Sequence, residues 1–500
     1  MPKIPQIIEN LIKQLEKAGY DAYVVGGCVR DILLGREPKD WDVTTNARPE
    51  QILKVFPAGK YENDFGTVIV PIKNGAGETE TVVEVTTYRS EQGYSDRRHP
   101  DEIKFETELD KDLERRDFTV NAMALSLGKH KTQSTKPKQN TEHKTQTGEY
   151  EIIDLFGGEK DIKKRIIRAV GEPADRFKED ALRMLRAIRF ACELGFEVEE
   201  KTARAIVKMA GGIKFVSGER IRDELIKIMA SAKPSEGIEL LREAKLLQYI
   251  LPELERGIGV KQNKHHIYTV YKHSILSLKF CPSADWRVRL ATLLHDIAKP
   301  QTKRMIAGDA TFYNHDAIGA RVTEKIMKRL KFSNADTEKM TTLVRYHMFY
   351  YNVDEVTPAA VRRLLAKVGP ENIKDLLDLR VGERLGSGVP KAKPYKLRHL
   401  EYMIKRVQTD PVSVKMLAIN GSDLMAGLKI EPGPKIGAIL DVLLSEVIEE
   451  PELNTKEYLA KRSRELNELN PAELRAKAKE KIEEKKMEDD QEIKKEFWVK

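Results

Sequence analysis

The stretch Val24–Thr45, VVGGCVRDILLGREPKDWDVTT, places a glycine pair, an arginine and two alternating aspartates in one short span. Residues i and i+2 of a strand share a face, so Asp40 and Asp42 point together and repel unless a cation lies between them. Mg2+ is the hard, oxygen-seeking ion for such a pair, and it fills its remaining positions with phosphate and water. The glycine pair leads into a helical pattern whose first N–H groups suit phosphate oxygens. Arg30 adds a guanidinium fork for the same group. Together these parts suit phosphoryl transfer from a nucleoside triphosphate by a two-metal scheme. Either motif alone also occurs on ordinary turns and solvated strand edges, so the reading rests on what accompanies them.

The elements that must position these groups are legible in outline. DAYVVGG, WDVTT, GTVIVPI, TVVEVTTY and TVNAMALSL are Val-, Thr- and Ile-rich at strand length. Residues 128–149 carry no bulky apolar side chain and read as a solvated, flexible insert in the sheet. After EIIDLFGG the pattern turns helical. Over 174–209, Phe177, Leu182, Leu185, Ile188, Ala191 and Leu194 recur at three-and-four spacing, and Gly195 marks a helix end. Short helices punctuated by NGSD and EPGPKIG follow Asp410, and from about Pro471 a Lys/Glu-rich pattern with few apolar anchors reads as an exposed helix.

Composition narrows the class. With 40% hydrophobic and 33% charged residues, no window approaches the roughly 18 continuous apolar residues of a membrane span. The opening MPKIPQIIENLIKQLEK alternates charged and apolar residues at helical spacing, unlike a signal peptide. Cys28, Cys192 and Cys281 are scattered and odd in number, which points to a reducing cytoplasm. The net charge of +8 is mild for this length, but LERRDF and DALRMLRAIRF concentrate arginine beside the acidic motifs.

A second constellation lies at 262–351, where histidines recur with an adjacent His–Asp pair in LLHDIAK. Histidine is the commonest borderline-metal ligand, and a neighbouring aspartate makes a mixed N/O site.

Five motifs over about residues 1–255 follow in order: GGCVRDILLG with KDWDVTT, EVTTYRSEQGYSDRRHP, DLERRDFTVNAMA, IIRAVGEPADRFKEDALRMLRAIRFACELGF and SGERIRDEL. This series resembles the class II tRNA nucleotidyltransferases, which add CCA to tRNA 3′ ends, and the related bacterial poly(A) polymerases. The resemblance implies an α+β fold with a polymerase-beta-like, mixed-sheet nucleotidyltransferase head, and tRNA, CTP and ATP as partners. It assigns Asp40 and Asp42 to the metal, and Gly27, Arg30, Arg116, Asp180, Arg183, Arg186 and Arg189 to the nucleotide. A third carboxylate on a neighbouring strand is also implied, with Glu84 as the candidate. Three-residue steps would place Asp180, Arg183, Arg186 and Arg189 near one helical face. Cytosine and adenine each offer an exocyclic amino donor beside a ring-nitrogen acceptor. An Asp–Arg pair can select both without a template, and guanine and uracil leave it unpaired.

The histidine block resembles the HD superfamily of metal-dependent phosphohydrolases. The resemblance matches His273, His295 and Asp296, with His315 and His347 as the extra ligands of two-metal versions, and implies an additional divalent metal. The family's closing aspartate is replaced by Glu383 in LRVGERLGSG.

The expected organisation is a head over 1–155, a nucleotide-selecting and RNA-binding neck over 156–260, an HD-type body over 261–400 and a helical tail over 401–500. Poly(A) polymerases of this family typically carry a GRRF-like motif, which AGKYENDFGTVIV lacks. CC-adding members have a shortened loop after the EVTTYR strand, whereas RSEQGYSDRRHP is retained. CCA addition is therefore the first expectation, and A-addition or poly(A) synthesis the alternative. An HD phosphohydrolase or RNA-binding scaffold with a vestigial head is the reading of a different class.

Overall fold

A computed structural model describes residues 4–62, 66–73, 79–92, 102–127, 144–147, 150–262, 267–353, 355–389, 391–408, 414–470, 473–474, 487 and 490–499. The chain divides into two compact units, one formed by 1–347 with 378–388 and the other by 348–377 with 389–500.

The first unit opens with an α+β head. Its strands are β1 (Ala22–Val25), β2 (Asp42–Thr45), β3 (Lys60–Tyr61), β4 (Thr67–Lys73), β5 (Thr79–Thr87), β6 (Arg89–Gln92), β7 (Glu102–Phe105), β8 (Met123–Leu127), β9 (Lys144–Thr147) and β10 (Tyr150–Asp154). Eight of them form one mixed sheet in the order β3-β4-β5-β2-β1-β8-β10-β9, and β6 pairs with β7 separately. All four residues of β1 are buried, as suits an apolar strand near the middle of a sheet. The Gln6–Lys17 helix covers part of the sheet with Ile8, Leu11, Ile12 and Leu15, the apolar face of its sequence.

The strand expectations hold for β1, β2, β4, β5 and β8. The insert differs at its far end: Lys144–Thr147 adds to the sheet as the edge strand β9, antiparallel to β10. Thr145 and Thr147 have the branched side chains that favour this geometry. The rest of the insert, 128–143 and 148–149, lies outside the described residues, as does the GYSDRRHP segment at 93–100. β10 itself was not anticipated, because EIID is too short to show an alternating pattern.

From Gly158 to Glu255 the unit is almost wholly helical. Pro173–Glu179, Leu182–Leu194, Glu200–Met209 and Gly218–Ala230 succeed one another. Phe177, Leu182, Leu185, Ile188 and Ala191 are buried, and Gly195 terminates its helix in the left-handed conformation at φ 70°. Cys28, Cys192 and Cys281 are all free thiols.

Asp154 ends β10 and caps the next helix, accepting from the backbone N–H groups of Gly158 at 2.8 Å and Glu159 at 2.9 Å. The helix start is pressed so closely on the RRDFTVN turn that a Cβ at Gly158 would lie 2.4 Å from the Thr119 carbonyl oxygen. Thr119 in turn donates to Asp161 at 2.7 Å.

In the second unit, helices Gly421–Leu428, Pro434–Glu449 and Lys456–Leu466 close around Leu424, Ile439, Leu443 and Leu459. NGSD proves to be a helix start. The Asn420 side chain accepts from the Ser422 and Asp423 N–H groups, and Asp423 accepts from the Asn420 N–H. Of the Lys/Glu-rich tail, 475–486 lies outside the described residues, while Leu474 is fully buried in that cluster.

The tight seat of Gly158 yields a prediction. Gly158→Ala should destabilise the protein by about 1–3 kcal/mol, because backbone rather than a movable side chain must yield. Urea unfolding would register this as a lower midpoint with an unchanged slope.

Candidate active site

One cavity of about 570 Å³ lies in the first unit. Nine of the head and neck residues expected at the site line it, namely Gly27, Arg30, Asp40, Asp42, Arg116, Asp180, Arg183, Arg186 and Arg189, while Glu84 is not among its lining residues.

Its acidic wall follows from sheet topology. β2 and β5 are the parallel pair in the sheet, and their register sets Asp42 directly beside Glu84. Burial raises the Asp42 carboxyl above its ordinary value; Arg116 opposes this and Asp40 adds to it. Burial also raises Glu84, reinforced by the charges of Asp42, Glu62 and Asp40. The three groups therefore form a set whose mutual repulsion a hard cation would relieve.

Beside the acids, the chain leaves β1 through Gly26 at φ 83°, a conformation only glycine adopts without strain. A Cβ there would meet Arg116 Nη1 at 2.9 Å and Asp42 Oδ2 at 3.5 Å. Gly26, rather than Gly27 alone, thus allows the carboxylate and the guanidinium to approach the same turn. Arg116 is held by Asp112, which is fully buried and also pairs with Arg115 at 2.7 Å. Burial pushes the Asp112 carboxyl up, but the two guanidiniums reverse this and leave it below its ordinary value.

The opposite wall departs from the single helical face. The helix begins at Leu182, and Asp180 lies before it in extended conformation at φ −141°, ψ 107°. The bend places its Oδ1 3.0 Å from the Leu182 N–H, which it accepts as a local cap. Its carboxylate pairs with Arg220, whose Nη2 lies 2.7 Å from Oδ2. Arg183 instead donates to Glu179 at 2.6 Å and to the Arg115 carbonyl at 3.0 Å. Arg186 pairs with buried Asp117 at 2.7 Å, and Arg189 with buried Glu224 at 2.6 Å. Asp117 sits at about 2, burial being outweighed by Arg186 and Arg183.

Arg115, Asp117, Asn121, Phe190 and Arg220 also line the cavity and were missed. Signals for them existed: the first three share the RRDFTVN motif with Arg116, and Arg220 lies in SGERIRDEL.

The histidine-rich constellation forms a second centre, also in the first unit. His273, His295, Asp296, His315 and His347 are all buried. Their donor atoms form two overlapping groups, His273–His295–Asp296 and Asp296–His315–His347, each with every ligand atom within 4.8 Å of the others. The helix ends supply the orientation. The Nδ1 atoms of His295, His315 and His347 lie 2.7, 2.8 and 2.7 Å from the carbonyls of Thr292, Phe312 and Val344. With Nδ1–H donating, His315 and His347 turn a bare Nε2 inward, whereas the burial of His295 is outweighed by the Asp296 carboxylate 3.2 Å from its Nε2, which raises it. His273 Nε2 lies 3.1 Å from His295 Nε2. The Nε2 atoms of His315 and His347 are buried with no hydrogen-bond partner among the described residues. Burial holds His273 and His347 at about 4, so both are neutral ligands at neutral pH. These are donors that fit a borderline divalent metal. Glu383 stands outside both groups; Arg380 donates to its carboxylate at 2.5 Å.

Three family models match the chain. The Poly A polymerase head domain model matches residues 22–168, the model described as "Probable RNA and SrmB- binding site of polymerase A" matches 195–258, and that of tRNA nucleotidyltransferase domain 2 matches 315–462. The CCA-adding enzyme of Geobacillus thermodenitrificans is 31% identical over 465 residues, 91% of this chain and 96% of the relative. The A-adding tRNA nucleotidyltransferase of Deinococcus radiodurans is 34% identical over 351 residues, 67% of this chain and 74% of the relative. The crystal structure of the Bacillus stearothermophilus CCA-adding enzyme in complex with CTP superposes with a TM-score of 0.57 at 28% identity, covering 93% of this chain and 98% of that one. With carboxylates and arginines facing one cavity, and near-complete coverage of such relatives, the chain belongs to the CCA-adding tRNA nucleotidyltransferase family.

Proposed function

We propose that this protein builds or repairs the 3′-terminal CCA of tRNA from CTP and ATP, in the cytoplasm and without a nucleic-acid template. The observation that carries the reading is the single cavity bounded by the acids of the head and by Asp180 with its arginines. The neck and the residues C-terminal to it bind tRNA through its backbone and shape.

Asp40, Asp42 and Glu84 hold divalent metal, Mg2+ by the hardness of their oxygens. Bound Mg2+ supplies neutralisation of the triphosphate charge and activation of the attacking hydroxyl. The chain's own groups do the remaining work. Gly26 and Gly27 let the triphosphate approach the backbone, and Arg30 and Arg116 orient it. Asp180 accepts from the exocyclic amino group of cytosine or adenine. The neighbouring arginines donate to the ring acceptor, Arg183 first among them. For Asp180 to do so, Arg220 must keep its hold on one face of the carboxylate and leave an oxygen lone pair free.

The histidine centre supports a second reading. By its donor set and its resemblance to the HD enzymes, it binds an additional divalent metal and hydrolyses phosphate esters. His273, His295, Asp296, His315 and His347 act as ligands, with Glu383 turned to Arg380.

Three outcomes are expected. Purified protein offered tRNA transcripts lacking CCA or ending in CC should add two C and one A, or one A, and stop. One A on the CC transcript with no incorporation on the transcript lacking CCA would favour the A-adding alternative, and long A tracts on any RNA would sink both. Asp42→Ala should lower turnover about 1,000-fold or more with tRNA binding retained, whereas Asp180→Ala should relax base choice with less effect on metal binding.

The raised Asp42 carboxyl has a stability consequence. The folded protein binds this proton more tightly than the unfolded chain, so the destabilisation is absent below the ordinary carboxylate value and complete above the folded one. Asp42→Asn should therefore gain ~0.5–2 kcal/mol at neutral pH in EDTA while losing activity. Mg2+ should stabilise the wild type more than the variant in urea melts.

Elemental analysis should find divalent metal at the histidine centre. His347→Ala should lower its content and the hydrolysis of p-nitrophenyl phosphate, leaving nucleotide incorporation intact.

A further inference from the structure

Arg30 and Arg186 stand on separate elements, the Gly27–Leu33 helix of the head and the Leu182–Leu194 helix of the neck. An unbroken set of hydrogen bonds joins them. Arg30 Nη1 donates to Asn121 Oδ1 at 2.6 Å, and Asn121 Nδ2 donates to Asp117 Oδ1 at 3.2 Å. Asp117 Oδ2 accepts from Arg186 Nε at 2.8 Å. Asn121 and Asp117 are both largely buried at the cavity wall. A second tie runs through Phe190, whose ring centroid lies 5.3 Å from the guanidinium carbon of each arginine.

The middle of this set has strict chemical requirements. A guanidinium only donates and a carboxylate only accepts, so a side chain between them must accept on one side and donate on the other. An amide does both without charge. This orientation is also forced: turned over, the amide would face Arg30 with hydrogens and Asp117 with a lone pair.

We infer that Asn121 is the positioning residue that keeps base reading at Arg186 in register with the placement of the triphosphate by Arg30. The inference rests on the nucleotide-binding roles assigned above. A nucleotide whose base engages the neck correctly leaves Arg186, Asp117 and Asn121 aligned, and Arg30 then meets the phosphates in the productive position. A base that displaces Arg186 drags the set with it and misplaces Arg30. Misplacements of this kind lower the chemical step with little effect on binding.

The test compares CTP with UTP on a tRNA transcript lacking CCA, with kcat and KM determined separately. Asn121→Ala should lower kcat for CTP about 10–100-fold with KM changed less than about threefold. It should lower UTP incorporation much less, so that discrimination shrinks at least about tenfold. Asn121→Asp keeps the volume and the acceptor for Arg30 but cannot donate to Asp117, and should show the same loss of discrimination. It also keeps the question open to experiment if Asn121→Ala fails to fold. In a double-mutant cycle, adding Asn121→Ala to Arg186→Lys should cost little further discrimination. Equal losses for CTP and UTP, or additive effects in the cycle, would overturn the coupling. Wild-type protein run alongside keeps the two ideas apart. Unselective incorporation by the wild type would overturn the base-selection reading and the coupling with it, whereas equal losses in the variants of a selective wild type would overturn the coupling alone.

Discussion

The head is built around a repulsion. Parallel pairing of β2 with β5 lays Asp42 beside Glu84, and Asp40 adds a third negative charge two residues upstream. The remaining neighbours of the large sheet are antiparallel. The unfavourable contact is thus confined to one place in the sheet, where a hard cation would relieve it. The apolar strand β1 on one side and the buried Asp112 with its two arginines on the other hold the acids where they repel.

The arginines of the cavity obey the complementary constraint. Arg116, Arg183, Arg186, Arg189 and Arg220 are each paired with a carboxylate in the free protein: Asp112, Glu179, Asp117, Glu224 and Asp180 in turn. Unpaired, so many guanidiniums around one space would repel one another and resist desolvation. Paired, they are oriented before the substrate arrives, which reduces the ordering cost of binding. Each still has spare N–H groups, because a guanidinium carries five and a carboxylate can engage only some of them.

Much of this was legible because chemistry and spacing coincide within short segments. The Asp40/Asp42 pair, the Arg116 motif and the arginine steps of the neck all line the cavity. What could not be read depended on backbone direction or on distant partners. Helical periodicity suggested that Asp180 shared a face with Arg183, but the chain bends at Asp180 and begins its helix at Leu182. The partner of Asp180 is Arg220, forty residues on; no local pattern encodes such a pairing. β9 was hidden in a polar segment because an edge strand needs few apolar side chains. At the histidine centre, residue type revealed the five donors, while the position of Glu383 depended on Arg380 one helical turn away.

The two clusters of acidic and imidazole groups differ in charge, burial and orientation. In the head, the carboxylates are mutually repulsive, burial raises those of Asp42 and Glu84, and Asp40 and Asp42 line a large cavity. At the histidine centre, imidazoles oriented by backbone carbonyls surround one buried aspartate drawn well below its ordinary value, and burial holds His273 and His347 at about 4. Open oxygen donors suit an ion that must be shared with an incoming triphosphate. Buried imidazoles suit one retained by the protein through many cycles. The difference follows from side-chain chemistry and burial.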